Sequence, residues 1–473
     1  MKQFFIRLSM VCAVLAGTSG MFAQQGKVKK ANKDFDRYEY IDARQIYLKV
    51  VEDGYTSAQI YENLGDTYYW NSDYDNAAKW YTKLVEEYPD DTETVYFYRA
   101  AQANKSTNDM ERSKRYMDMY IAKGGDPGIV KASNTDFLEY IVALEKAKVN
   151  TQYSDFGAAF WNDNVVFASS AAGTEGDKVA KWNDQPFTDL FVAPMDENGV
   201  LGSSSSLKGE VNTKYHESTP VFTKDGKTMY FTRNNFIDGK KERGSNKTIK
   251  LKLYKATNSG DGEWGDIVEL PFNNKDYSMA HPALSQDEKR LYFSSEMPGG
   301  MGMSDIWYVD ILGDDQYGEP TNLGPEINTE ARESFPFISD KNNLYFSSDG
   351  RGGLGGFDIF MTALDSEGKP TTINNIGEPA NSSKDDFGFI INEEKRFGYL
   401  TSNRDGDEGS IDDEIYLVTE VCEITIVGKV FDVDTEEPIS GAMVALLDQD
   451  NAVVSQMMVG EDGLYSFSAD CET

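Results

Sequence analysis

A chain of 473 residues exceeds what one hydrophobic core sustains, so several domains are expected. Its 79 acidic against 46 basic side chains leave a formal net charge of −33, a surface that repels nucleic acid and anionic lipid headgroups and excludes nucleic-acid binding as its role. Aromatic residues reach 12% and recur in patterned runs, which sets the chain apart from disordered sequences.

Residues 1–23 read as a secretory signal peptide. Lys2 and Arg7 precede apolar Leu8 to Ala16, and Gly20-Met21-Phe22-Ala23 ends on a small residue, so cleavage is expected after Ala23. Cys12 follows Ser9-Met10-Val11 inside the apolar stretch and lacks the context of a lipid attachment site. No later stretch approaches the roughly 18 apolar residues of a spanning helix. The mature chain is therefore expected to be soluble, outside the cytoplasm and without a transmembrane segment.

Residues 24–147 are expected to be helical repeats, since 31–123 repeats at a period of 34. Ala43 and Tyr47 recur as Ala77 and Tyr81. The best copy starts at Ala58 and carries Tyr61, Leu64, Gly65, Tyr68, Ala77, Tyr81, Leu84 and Pro89 at the positions of the tetratricopeptide pattern. Small Gly65 and Ala77 let two helices approach, larger residues fill the space between pairs, and Pro89 stops the second helix. A weaker copy from Thr92 to Ile121, with Tyr96, Ala100, Tyr116 and Met119 on its apolar face, suits a capping repeat. Such arrays bind partners in a groove, and packing onto the next domain is an equal use of it.

Residues 148–421 switch to alternating apolar runs separated by turn residues, the signature of short strands. One unit is plain at His281-Pro282-Ala283-Leu284, Leu291-Tyr292-Phe293-Ser294 and Asp305-Ile306-Trp307-Tyr308. Its middle run recurs at Val165-Val166-Phe167, Met229-Tyr230-Phe231, Leu344-Tyr345-Phe346 and Gly398-Tyr399-Leu400, and its third at Asp189-Leu190, Lys252-Leu253, Asp358-Ile359 and Glu414-Ile415. Blade starts align at Ser154-Asp155-Phe156, Glu217-Ser218-Thr219-Pro220, His281-Pro282, Glu333-Ser334-Phe335-Pro336 and Asp385-Asp386-Phe387. These units resemble the PD40, or WD40-like, blades of TolB-type propellers, which implies a β-propeller of five blades, with six as the alternative. Val149-Asn150-Thr151 is similar to Val211-Asn212-Thr213 and Ile327-Asn328-Thr329 but precedes the first blade, so it is expected to supply the outer strand of the last blade and close the ring.

Chemistry-bearing residues are sparse. The two histidines, His216 and His281, both stand at blade starts and read as structural. No Gly-x-Ser-x-Gly elbow and no His-Cys metal cluster occurs, and the Gly-rich loops at 299–302 and 350–356 precede no helix, so they read as blade loops. An acidic loop with Asp405, Asp407, Asp412 and Asp413 offers oxygen ligands of the kind that calcium prefers. Its glycine spacing departs from an EF-hand loop and it aligns with the glycines at 352–356, so a solvated loop is the preferred reading. No catalytic residue, metal or cofactor is expected, and the chain reads as non-enzymatic. Trp264 falls where an outer strand should begin, whereas Trp161 and Trp182 are open to either packing or binding.

Residues 422–473 change character again. Ile424 to Asp432, Thr435 to Val444 and Gly463-Leu464-Tyr465-Ser466-Phe467 resemble the carboxypeptidase regulatory-like, transthyretin-type β-sandwich, of which only part is expected here. Cys422 and Cys471 flank its strands, and an oxidising compartment permits a disulfide between them. In this order, signal peptide, α-solenoid, propeller and sandwich resemble the PorE-like OmpA-family proteins of Bacteroidota. The resemblance implies a periplasmic scaffold at the outer membrane, linking type IX secretion or gliding components. Partners would be outer-membrane barrels of PorP/SprF type and other secretion-machinery subunits, with peptidoglycan bound only through an OmpA-like C-terminal domain not present here. A propeller that binds a small ligand, glycan or calcium as a sensor or uptake accessory is the alternative.

Overall fold

The computed structural model describes residues 24–126, 142–172, 179–237, 239–258, 260, 262–313, 315–365, 367–404, 412–421, 423–447 and 451–470. Of these, 24–126 and 144–418 belong to a larger unit, and 142–143 together with 419–470 to a smaller one.

The larger unit opens with six helices among the described residues: α1 (24–35), α2 (Tyr40–Glu52), α3 (Ala58–Tyr69), α4 (Tyr74–Glu87), α5 (Thr94–Ser106) and α6 (Met110–Ala122). From α2 on, each packs on the next, as in a repeat solenoid. Side chains cap several starts: Ser57 Oγ accepts the Ile60 N–H at 3.3 Å and Asp73 Oδ1 that of Asn76 at 3.1 Å. The small residue expected between α3 and α4 is indispensable, since a Cβ on Gly65 would stand 2.1 Å from the Tyr81 ring. The Tyr81 hydroxyl donates to Asp66 at 2.6 Å, and Asp66 is paired with buried Arg99 of α5 at 2.6 Å, so a polar cluster ties three helices together.

Five blade sheets follow among the described residues, four of four strands and one of five, each running outward from the propeller axis. Blade 1 is β2 (Asp155–Trp161), β3 (Asn164–Ser169), β4 (Asp189–Pro194) and β5 (Ser205–Ser206). Blade 2 is β6 (Glu217–Phe222), β7 (Thr228–Asn234), β10 (Leu251–Asn258) and β11 (Trp264–Glu269), with an extra hairpin of β8 (Phe236–Ile237) and β9 (Lys240–Lys241). Blade 3 is β12 (Met279–Leu284), β13 (Arg290–Ser295), β14 (Asp305–Gly313) and β16 (Thr321–Asn322), with β15 (Gln316–Tyr317) as an extension. Blade 4 is β17 (Glu333–Ile338), β18 (Asn343–Ser348), β19 (Asp358–Ala363) and β20 (Asn374–Asn375). Blade 5 is β21 (Asp386–Asn392), β22 (Phe397–Ser402), β23 (Glu414–Glu420) and β1 (Val142–Lys146). The count is five, not six. Apolar cores lie between adjacent blades, as where Val166, Phe231, Tyr254 and Trp264 meet between blades 1 and 2.

Ring closure follows the expected logic with a shifted strand. The outer strand of blade 5 is β1, just upstream of Val149-Asn150-Thr151. Asn150 itself is a clasp: its side chain donates to the Ile415 carbonyl and accepts the Ile415 N–H, both at 2.9 Å. Asn212 grips Leu190 in this way, Asn273 grips Leu253, Asn328 grips Ile306 and Asn381 grips Ile359. Each asparagine completes the pairing of a third strand beyond the fourth strand, and Asn150 does so across the seam of the ring.

The smaller unit holds two antiparallel pairs, β24 (Glu423–Lys429) with β27 (Leu464–Asp470) and β25 (Met443–Leu447) with β26 (Val453–Met458). The segment Leu464-Tyr465-Ser466-Phe467 forms the start of β27.

Candidate functional site

The propeller has two ends, and the helices occupy one. The loops between second and third strands, and the connections between blades, meet the solenoid around the ring. Tyr38 and Tyr40 hold Trp182 of blade 1 at ring distances of 5.8 and 4.7 Å, and Lys181 pairs with Glu39 and Asp42. Lys250 of blade 2 donates to the Tyr38 hydroxyl at 3.0 Å. At blade 4, Arg332 lies between the rings of Trp70 and Phe357, 4.6 and 4.3 Å from their centroids, and pairs with Asp349 at 2.9 Å. The Asp349 carbonyl accepts from Tyr98 and Gln102 of α5. Asp385, at the start of blade 5, accepts from Ser72 and Tyr74 and from the Phe357 N–H. The Gly-rich blade loop makes this approach possible, because a Cβ on Gly356 would fall 2.1 Å from the Tyr74 oxygen. Its carboxylate-capped turn is held by Asp358, which accepts the Leu354 and Gly355 N–H groups and is pushed up to about 7 by burial.

The opposite end opens into a central cavity of about 190 Å³. Its floor is a ring of five β-bulges, one per blade, at Gly157, Thr219, His281, Phe335 and Gly388. The inner strand slips register at each of these positions, and φ is 67°, 41°, 56°, 52° and 61°. Glycine reaches that region without strain, whereas a β-branched threonine or a bulky aromatic there is an outlier that costs about 1–3 kcal/mol. Blades 2 to 4 nevertheless place side chains at these positions. The His281 ring lies over Phe335, with centroids 3.8 Å apart, and Phe335 meets Phe387 at 4.6 Å. His281 Nδ1 is 3.2 Å from Thr219 Oγ1, which is 2.9 Å from Thr232 Oγ1, and the His281 N–H donates to Thr232 Oγ1 at 2.9 Å. Burial pushes the His281 imidazole down to about 3, so it is neutral at physiological pH.

Above the floor, prolines and phenylalanines such as Pro220, Pro336, Phe337 and Phe389 form the walls. The mouth is polar and braced. Trp161 Nε1 donates to the Gly226 carbonyl at 3.2 Å, Lys224 Nζ to Gln286 at 2.7 Å, Gln286 to Asp340 at 2.7 Å and the Lys341 N–H to Glu393 at 2.7 Å. The inner hairpins of all five blades are thus joined in sequence.

The histidines are not brought together. His216 lies in the connection between blades 1 and 2, its Nδ1 3.2 Å from the Thr188 N–H and its ring 4.6 Å from Phe187, and burial pushes it down to about 4. Asp412 accepts from Gln185, and Asp413 is pushed up to about 8 by burial together with Asp385, Asp412 and Asp155. Asp405, Asp407, Cys422 and Cys471 lie outside the described residues, as does the segment 1–23. Among the described residues no three His, Cys, Asp or Glu side chains gather in a group able to hold a metal ion. Trp264 begins β11 and is fully buried, and Trp161 packs on it at 5.5 Å, whereas Trp182 packs on the helices. Sequence reasoning missed the bulge ring. Its signal was the third residue of each inner strand, which is glycine in blades 1 and 5 and threonine, histidine and phenylalanine in blades 2 to 4.

No protein-family model and no curated protein matches the chain. Among solved structures it is similar to TolB from Acinetobacter baumannii, at 13% identity and a TM-score of 0.30 over 57% of this chain and 55% of that one. It is also similar to the α-L-arabinofuranosidase from Lactobacillus brevis, at 12% and 0.40 over 61% and 94%, and to a family 117 glycoside hydrolase from the marine bacterium Zobellia galactanivorans, at 10% and 0.38 over 59% and 89%. The chain spans about half the length of that TolB. At these identities the likeness is one of propeller fold.

Glycoside hydrolases among these propellers correct the expectation of a non-enzymatic chain. That expectation leaned on the scarcity of histidine, and glycoside hydrolysis runs on a pair of carboxylates without one. Few histidines argue against histidine-based chemistry only, and a fold hosts enzymes and binding modules alike.

Proposed function

We propose that the chain is a protein-interaction module of the periplasm, an adaptor at the outer membrane that holds components of a secretion or gliding machinery. The observation that carries this reading is the docking of the solenoid on one end of the propeller through the contacts of half-buried Arg332 and buried Asp349 and Asp385. Two repeat structures, each suited to binding partners, are joined there, and the opposite end of the propeller is left open. Support comes also from the strongly acidic surface, which favours basic partner surfaces, and no described helix is long and apolar enough to cross a membrane. Barrels of PorP/SprF type are the proposed partners. Crosslinking of the full-length protein in intact envelopes, read by mass spectrometry, tests this: repeated recovery of one outer-membrane protein supports it, and recovery of no envelope partner contradicts it.

A further inference from the structure

The cavity at the open end has the attributes of a ligand site independent of any protein partner. Its hydroxyl relay fixes a tautomer. Thr232 is fully buried, and among the described residues its Oγ1 meets only the His281 N–H, which must donate, and Thr219 Oγ1. The Thr232 proton therefore goes to Thr219, the Thr219 proton goes to His281 Nδ1, and Nε2 carries the ring proton. Among the described residues no protein group accepts from Nε2, and His281 lines the cavity. The floor thus presents one neutral, oriented donor among aromatic and aliphatic walls.

Those features constrain the occupant. A hydrocarbon would leave the Nε2–H unpaired in an apolar pocket, and a charged group would be desolvated at a floor that offers no counter-charge. The occupant is therefore neutral, with an apolar face for walls such as Phe337 and Phe389 and at least one acceptor for His281. A volume of about 190 Å³ falls below the range of about 300–1,000 Å³ typical of drug-sized ligands and admits a single ring. At the mouth, Gln286, Glu288, Asp340 and Lys224 supply donors and acceptors suited to hydroxyl groups. The strain points the same way: Gly157 and Gly388 show that glycine serves at the bulge, yet the three blades that build the relay and the ring stack hold Thr219, His281 and Phe335 there at positive φ.

We propose that the central cavity binds one neutral pyranose ring, with His281 Nε2–H donating to a ring or hydroxyl oxygen and the phenylalanine walls packing its C–H face. The full-length chain contains two histidines, so imidazole nitrogen NMR reads the site directly, against His216 as an internal control. The probes are the methyl glycosides of glucose, galactose and N-acetylglucosamine, with glucuronate and cyclohexanol for comparison. The expected result is an Nε2–H tautomer at His281 and a saturable shift of that resonance with at least one neutral sugar, with His216 unmoved and glucuronate at least tenfold weaker. His281→Phe, which keeps the stack on Phe335, should weaken binding at least tenfold. Ala158→Leu, which fills the cavity and leaves the relay intact, should do the same if His281→Phe fails to fold. An Nδ1–H tautomer, no saturable shift with any neutral sugar at tens of millimolar, undiminished binding by a folded His281→Phe or Ala158→Leu variant, or cyclohexanol binding as tightly as the sugars would each overturn the proposal.

Discussion

The Tyr74 hydroxyl and Asp385 Oδ1 lie 2.6 Å apart, both residues buried, and this contact ties α4 of the solenoid to blade 5 of the propeller. The same oxygen accepts the Phe357 N–H at 2.8 Å, so one carboxylate serves both parts. A hydrogen bond to such a group contributes about 1.5–3 kcal/mol when it is buried. Tyr74→Phe is expected to lower the stability of the larger unit by that amount in denaturant unfolding and to raise the protease sensitivity of α4 before that of the blades. An unchanged midpoint would show that the junction does not depend on this bond.

Removing the clasp at the seam should loosen the ring locally. Asn150→Ala deletes two hydrogen bonds to Ile415 and strips its N–H of the Asn150 acceptor, while its C=O keeps the Ala147 N–H at the end of β1. A loss of about 1–3 kcal/mol is expected, with faster amide hydrogen exchange in β1 and β23 and little change in blade 3. Uniformly faster exchange in all blades would contradict a seam-specific role.

Gly65→Ala is expected to be costly although alanine favours helices. Its Cβ would stand 2.1 Å from the Tyr81 ring, which is held through its hydroxyl by Asp66. Overpacking of this kind costs about 1–3 kcal/mol. Helical circular dichroism should melt earlier in the variant, and a neutral outcome would mean that α3 and α4 separate easily.

The pH dependence follows from groups displaced in opposite directions. His216 and His281 lie at about 4 and 3 when folded, below the ordinary 6.5, so the unfolded chain binds more protons below pH 6.5. Stability is lost as pH falls from 6.5 toward those values, by about 1.4 kcal/mol per pH unit per histidine. Glu217 and Glu333 are pushed up by burial to about 8 and 7 from an ordinary 4.5. Their contribution is complete below pH 4.5 and is lost as pH rises through 7 to 8. Glu217→Gln should flatten the loss between pH 5 and 8, and His281→Asn, which tolerates positive φ, should flatten the acid limb. Unaltered pH profiles in both variants would contradict these assignments.

The repeat architecture was legible in the sequence because repetition multiplies weak signals. Gly65, Tyr81 and Pro89 marked a helix pair, and the recurring Tyr-Phe and Asp-Ile pairs marked second and third strands of five blades. The closing strand was placed at Val149-Asn150-Thr151 because that motif repeats, whereas β1 upstream is an isolated strand whose partner, β23, lies far along the chain. The bulge ring was hidden for a related reason. Positive φ at Thr219, His281 and Phe335 arises from strand register around an axis, and those residue types give no local hint of it. Solenoid docking depends on pairs such as Tyr74 with Asp385, more than three hundred residues apart, which no local pattern records.

An adaptor whose solenoid covers one end of the propeller has the open end left to receive its partner, and site-specific photocrosslinking in intact envelopes tests this proposal most directly. A photoreactive residue at Lys227 or Lys289, both exposed on the inner hairpins, is expected to capture an outer-membrane barrel protein, whereas one at exposed Lys114 on α6 is not. Capture from Lys114 alone, or from none of the three positions, would contradict the account.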